Sequence, residues 1–354
     1  MYIPSSYIFR TFFLFAHIHI LFLLAFFFFI TFIIKSSINL SLLLYSNMAG
    51  YNYYIDYYPR LAGNLIITII YFVLLVAHIV LGIKAKDRFF PISYVIGCFL
   101  EFIGFVGRTV GHHDPTMFAW FMVQNIGITI APIFFMAGIY NTFGEMIPIF
   151  GENHSVLKPK TYKKIFIVSD VISLVCQCAG GGVSSAEASS GSTSKAGTYI
   201  MLASLAFQVL SMTIYISLTL LFFYRVRKTV KSGGCLPSET AYMRQNRFFR
   251  LYVVATFVST LFIYIRCVYR VAEMSHGYDG PLTRNEIWFL IFDASMVVIG
   301  VTIITVIYPG AALGKGSFKA IVYKNMVENG SESYPLGYAY PFDAMDGKHE
   351  KVAN

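Results

Sequence analysis

LAGNLIITIIYFVLLVAHIVLGI, residues Leu61 to Ile83, contains no Asp, Glu, Lys or Arg. About 20 consecutive apolar residues let a helix cross a hydrocarbon core of ~30 Å, so this stretch reads as a membrane span. Six more apolar segments follow, near Phe90–Gly107, Met117–Tyr140, Ile165–Gly182, Thr198–Tyr224, Phe248–Arg270 and Ile287–Tyr308. Together they predict an all-α fold, a polytopic membrane helix bundle with seven core transmembrane helices. Composition agrees: of 354 residues, 56% are hydrophobic and 13% charged, against roughly 25% charged in an average soluble domain. A water-soluble globule is excluded, because so few charges cannot cover its surface.

An eighth apolar run, Phe12–Ile34, precedes the core and contains Phe26-Phe27-Phe28-Phe29. It is longer than the apolar region of a signal peptide, roughly 7–15 residues. Two readings stay open: an extra N-terminal apolar helix, or translated upstream sequence in front of Met48 as the start. The expected organisation is an N-terminal apolar extension over residues 1–47, the seven-helix core over 48–310 and a polar tail over 311–354. Tyr51, Tyr53, Tyr54, Tyr57 and Tyr58, just before the first core helix, read as a headgroup-level anchor. Ser184–Gly197 reads as a Ser/Gly/Ala-rich loop.

A net charge of +9 suggests nucleic acid in a soluble protein, but cytoplasmic loops of membrane proteins collect Lys and Arg. Nineteen of the 27 basic residues fall on one side of the core, in the loops holding Lys84–Arg88, Lys158–Lys164 and Arg225–Arg250 and in the tail; six fall on the other. The expected topology has the start of the core outside and the tail in the cytosol. The five cysteines make no pair of ligand pairs, so neither a zinc site nor a disulfide scaffold is expected. His112-His113-Asp114 lacks the helical spacing that turns two ligands toward one metal. No Gly-rich phosphate loop, Cys–His pair or hydrolase elbow stands in a suitable context. The expectation is a protein that is not an enzyme, with no cofactor, no metal and no nucleic-acid partner.

Ionisable side chains inside a membrane cost at least ~2.5–3.5 kcal/mol each on insertion scales, so each needs a partner or a wet cavity. Glu101 and Arg108, seven apart, share one face of the second helix. Asp170, Ser173 and Gln177 form a stripe on the fourth; Arg266, Arg270 and Glu273 form another on the sixth. The third helix adds Gln124 and Pro132, the fifth Gln208 and the seventh Asp293. The candidate substrate-binding set is Glu101, Arg108, Gln124, Asp170, Gln177, Arg266, Arg270, Glu273 and Asp293. Most of it lies in the outer half of the bundle, which suggests a polar cavity opening outward. A structural reading competes: Arg108, Arg270 and Glu273 can snorkel to headgroups, and Gln124 and Gln208 suit interhelical hydrogen bonds. Pro132 is expected to free a carbonyl that a neighbour must satisfy.

These residues form a string that resembles the fungal lipid-translocating exporters, the group of aminocholesterol-resistance proteins and sphingoid long-chain base exporters. Glu101-Phe102-Ile103-Gly104-Phe105-Val106-Gly107-Arg108 is similar to that family's second-helix pattern, with Phe105 where the pattern has Tyr. Gln124, Ala131-Pro132 and Tyr140 resemble its third helix; Asp170, Ser173, Gln177 and Gly180 its fourth. Arg266, Tyr269, Arg270 and Glu273 resemble its sixth, and Glu286 with Asp293 its seventh. The likeness covers about Tyr57 to Gly310 and has no counterpart for residues 1–47, which favours the Met48 start. It implies a plasma-membrane protein that moves or exports membrane lipids or other amphipathic small molecules, with resistance to toxic compounds; some members are tied to porphyrin uptake. The competing reading is a seven-helix lipid-sensing receptor or regulator of lipid asymmetry.

Overall fold

The computed structural model describes residues 59–84, 89–114, 117–189, 195–233, 236–237, 240–275 and 285–308. The expectations on residues 1–47, Met48, the tyrosines from Tyr51 to Tyr58 and the tail 311–354 lie outside the described residues. Seven helices are long and apolar enough to cross a membrane: α1 (Leu61–Lys84), α2 (Phe89–Val110), α3 (Phe118–Phe150), α4 (Pro159–Ser189), α5 (Ala196–Lys231), α6 (Arg247–Ser275) and α7 (Glu286–Val306). Among the described residues there is no strand.

Each helix packs against the next in sequence, and α7 returns to α1, so the bundle closes into a ring. α3 also reaches across to α6. The sequence explains which face each helix turns inward. On α1, Asn64, Thr68, Tyr71 and His78 are buried while Ile66, Ile69, Val73, Val76 and Val80 are exposed. The polar positions recur at three- and four-residue steps, which is one helical face. A helix in lipid puts apolar side chains outward and gathers polar ones where a protein partner exists. His78 meets Thr305 of α7 at 2.9 Å by this means.

Three helices run further than the sequence suggests, α5 passing Tyr224 to reach Lys231. α3 continues past Tyr140 to Phe150, through the polar Asn141, Thr142 and Glu145. These residues have partners inside the bundle: Lys163 donates to Asn141 at 2.7 Å, and Tyr252 donates to Thr142 at 3.2 Å. α4 starts at Pro159, whose missing N–H costs nothing in a first helical turn, and continues to Ser189. The Ser184–Gly197 stretch is therefore helical over most of its described length, not a loop.

Close approach of α2 and α3 depends on glycine. A Cβ on Gly127 would stand 2.6 Å from the Leu100 carbonyl oxygen and 3.1 Å from the Cα of Gly104. Backbone atoms cannot swing aside as a side chain does, so the two helices touch at a distance that only glycine permits.

Candidate functional site

Asp293 lies in a segment of α7, Phe289–Ser295, that is wound as a π-helix. The Ser295 hydroxyl donates back to the Leu290 carbonyl, five residues earlier, at 2.6 Å. Single π-turns inside α-helices are rare and concentrate at functional sites. Both Phe289 and Asp293 are buried. Arg270 of α6 grips the Asp293 carboxylate with two bonds, Nε to Oδ1 at 3.0 Å and Nη2 to Oδ2 at 2.8 Å. Such a fork is the strong form of an ion pair. Arg270 also donates from Nη1 to Glu273 Oε2 at 3.0 Å, and Arg266 Nε forms an ion pair with Asp293 Oδ1 at 2.8 Å.

Arg266 has a second anchor that the sequence explains. Pro132 has no N–H, so the carbonyl four residues back, on Ile128, loses its helical donor. Arg266 Nη2 supplies the replacement, donating to the Ile128 oxygen at 2.6 Å. The broken bond in α3 thereby ties α3 to α6 and, through Asp293, to α7.

Nearer the helix ends, Arg108 Nη2 donates to Glu286 Oε1 at 3.3 Å. The same carboxylate accepts from Asn64 Nδ2 at 2.9 Å and from the Arg60 backbone N–H at 2.7 Å. Glu286 thus joins the start of α7 to α1 and α2. Phe289 links this group to the first: the Arg108 guanidinium lies 4.1 Å from its ring centroid and that of Arg270 lies 5.4 Å from it. Cations over an aromatic face are held by the ring quadrupole.

Glu101 stands inside the same electrostatic neighbourhood, within reach of Arg266, Arg270, Asp293 and the Tyr71 hydroxyl. Its Oε1 is nevertheless buried with no hydrogen-bond partner. Counting this cluster, four carboxylates (Glu101, Glu273, Glu286, Asp293) face three guanidiniums (Arg108, Arg266, Arg270). Glu101 is the one carboxylate of the four that takes part in no ion pair among the described residues.

Asp170 and Gln177 belong to a second cluster, on α4. The Tyr140 hydroxyl of α3 donates to Asp170 Oδ2 at 3.0 Å, while Oδ1 is buried without a partner. Gln177 Nε2 donates to Gln208 Oε1 of α5 at 3.0 Å, so Gln208 makes the interhelical bond expected of it. Ser173 turns back to its own helix at Ser169. Cys267 of α6 lies between the clusters, within electrostatic reach of Arg266, Asp170 and Asp293. Gln124 sits on α3 at the Gly107 crossing, its Cβ 3.6 Å from where a Gly107 Cβ would be.

The expected outward-opening polar cavity is not what these groups form. Glu101 and Asp293 are 1% exposed, and Arg108 and Arg266 are 3% exposed. Carboxylates and guanidiniums from neighbouring helices close on each other, which removes the hydrated space that charges of one sign would hold open. The sequence reading also left Asn64, Tyr71 and Phe289 out of the site and used Glu286 only as part of a family pattern. A signal existed for the first two, since Asn64, Thr68, Tyr71 and His78 trace one face of an otherwise apolar helix.

This architecture defines a class: a seven-helix membrane protein with a buried, interhelical network of carboxylates and guanidiniums. The family described as RTA1 like protein matches residues 94–316, and the chain belongs to it. Among relatives, the sphingoid long-chain base transporter RSB1 of Saccharomyces cerevisiae (strain JAY291) is 33% identical over 287 residues, 74% of this chain and 75% of the relative. Protein RTA1 of Saccharomyces cerevisiae (strain ATCC 204508 / S288c) is 26% identical over 278 residues, covering 72% and 84%. Protoporphyrin uptake protein 1 of that strain is 28% identical over 205 residues, covering 57% and 63%. No solved structure matches this chain.

Proposed function

We propose that this protein moves a single-chain cationic amphiphile of the sphingoid-base type across the plasma membrane, exporting it and so protecting the cell from toxic amphiphiles. The observation that carries the reading is Glu101, a buried carboxylate outside every ion pair of a network that is otherwise matched. A buried carboxyl group with no ion-pair partner is an open position for a cation, and an arriving ammonium group supplies the pairing it lacks. The relative named a sphingoid long-chain base transporter supports the same substrate class.

In this reading Glu101 receives the amine. Asp293 does not, because Arg266 and Arg270 already saturate it; it holds the two guanidiniums in place. Arg108 positions the Glu286 tie between α1, α2 and α7. The excess of Lys and Arg at the α3–α4 and α5–α6 connections supports a cytosolic position for that end and for the tail, with the Glu286 end outside.

Reconstitution of the purified chain alone in liposomes, with a fluorescent sphingoid base in one leaflet, tests the proposal. Movement to the opposite leaflet is expected, with Glu101→Gln abolishing it while the variant still reaches the cell surface in vivo. No movement, in a preparation that is folded and monodisperse, overturns transport and leaves a regulator of separate lipid translocators.

A further inference from the structure

A narrow cleft with room for about one water molecule lies between α5 and α6 over α3, lined by Phe143, Tyr215, Thr219, Phe223, Thr256 and Thr260 among others. Its walls are apolar apart from the buried Thr219 hydroxyl. Thr256 and Thr260 turn their hydroxyls back to carbonyls of their own helix, at 2.9 and 2.8 Å, so they offer methyl groups to the cleft. The end wall is aromatic: Tyr215 packs edge-on against Tyr140, with ring centroids 4.7 Å apart, and against Phe143 at 5.8 Å. Tyr140 in turn holds Asp170. Two rings, Tyr215 and behind it Tyr140, therefore separate the cleft from a carboxylate that is 1% exposed, has an oxygen without a partner and is in no ion pair among the described residues.

A long alkyl chain ending in an amine matches both halves of this arrangement. We infer that the α5–α6 cleft is a lateral binding site for the hydrocarbon chain of a cationic amphiphile, and that Asp170, behind Tyr140, receives its ammonium group. The assignment takes its substrate class from the proposed function and adds a second carboxylate station, on the far side of α3 from Glu101. The complement is electrostatic as well as apolar: a neutral or anionic headgroup gains nothing from Asp170, whereas a cation supplies the partner that a buried carboxylate lacks. In the closed form the cleft has room for about one water molecule, so the chain enters by parting α5 from α6.

The test is photolabelling of the full chain in phosphatidylcholine nanodiscs. The probe is a single-chain primary amine carrying a diazirine near its terminal methyl, compared with the alcohol of the same chain. Both probes are expected to label peptides spanning residues 215–223 of α5 and 253–260 of α6. Thr256→Trp, which fills the cleft, is expected to remove labelling by both, and Thr219→Leu provides a milder block should the tryptophan variant not fold. Asp170→Asn is expected to lower labelling by the amine at least about tenfold, as truncation of a buried charge pair does, and to leave the alcohol unchanged. Labels spread over the lipid-facing side of α1, labelling indifferent to either blocking variant, or an Asp170→Asn loss equal for both probes would overturn the site. Cleft labelling without movement between leaflets keeps the site and sinks the transport reading; movement with labels elsewhere does the reverse.

Discussion

Asp293→Asn and Glu101→Gln make the same chemical change, carboxylate to amide, on two buried side chains of one cluster, yet the geometry demands opposite results. Asp293 accepts two bonds from Arg270 and an ion pair from Arg266, all at 2.8–3.0 Å. Its amide keeps one acceptor and turns an N–H donor toward guanidiniums that have only donors to offer. Breaking a buried ion pair by removing one partner costs about 3–5 kcal/mol, because the remaining charge is left uncompensated. Glu101 Oε1 has no hydrogen-bond partner and the group is in no ion pair among the described residues, so its amide breaks no ion pair. Its cost should fall below about 1 kcal/mol, or become a gain. The variants should therefore differ by at least about 2 kcal/mol. The assay is unfolding in mixed micelles, followed by the fluorescence of Trp120 on α3 and Trp288 beside the network. A double variant sharpens it: once Asp293 is neutral, Arg270 keeps Glu273 but Glu101 is the carboxyl group left near Arg266, so Glu101→Gln should become costly in that background, with a coupling of about 0.5–3 kcal/mol. Equal losses in the two single variants, with no coupling, would refute the reasoning, since Glu101 would then be an ordinary structural partner.

Pro132→Ala restores the N–H that Ile128 lacks. In an ordinary helix interior that exchange is worth about 3 kcal/mol, but here Arg266 already occupies the carbonyl at 2.6 Å, so a net gain below ~1 kcal/mol is expected in the same unfolding assay; the full gain would show that the Arg266 contact contributes nothing. Gly127→Ala should cost about 1–3 kcal/mol by overpacking, because the new methyl meets the Leu100 carbonyl. Gly182→Ala, with nothing within 4 Å of its Cβ position, should be neutral or stabilise by up to about 1 kcal/mol. Equal thermal midpoints for the two alanine variants would contradict the close α2–α3 contact.

The helices were legible because lipid imposes a one-dimensional rule: a spanning segment must satisfy its backbone internally and be apolar for its whole length. Segment ends were less so. Asn141, Thr142 and Glu145 look like the exit from a membrane span, and only their partners on α4 and α6 show that α3 continues among them. The π-wound stretch of α7 had no signal either, since Phe289–Ser295 contains no Pro or Gly to mark a change of winding.

Charge partners were the hardest to read, and the reason is geometric. Spacing along one helix predicts which side chains share a face, and it succeeded where the partner lies on that helix: Arg270 and Glu273, three apart, do pair. It misleads where a side chain reaches further through space than along its own helix. Glu101 and Arg108 share a face of α2 but stand roughly 10 Å apart along its axis, beyond any direct bond, and Arg108 pairs instead with Glu286, 178 residues away. Phe289, four residues before Asp293, then fills the space between Arg108 and Arg270 with an aromatic face rather than a charge. This leaves Glu101 the carboxylate without a cation. An unmatched carboxyl group of that kind is a property of the assembled ring of helices. It cannot be read from any one of them, and it is the feature on which a transport role for the cluster rests.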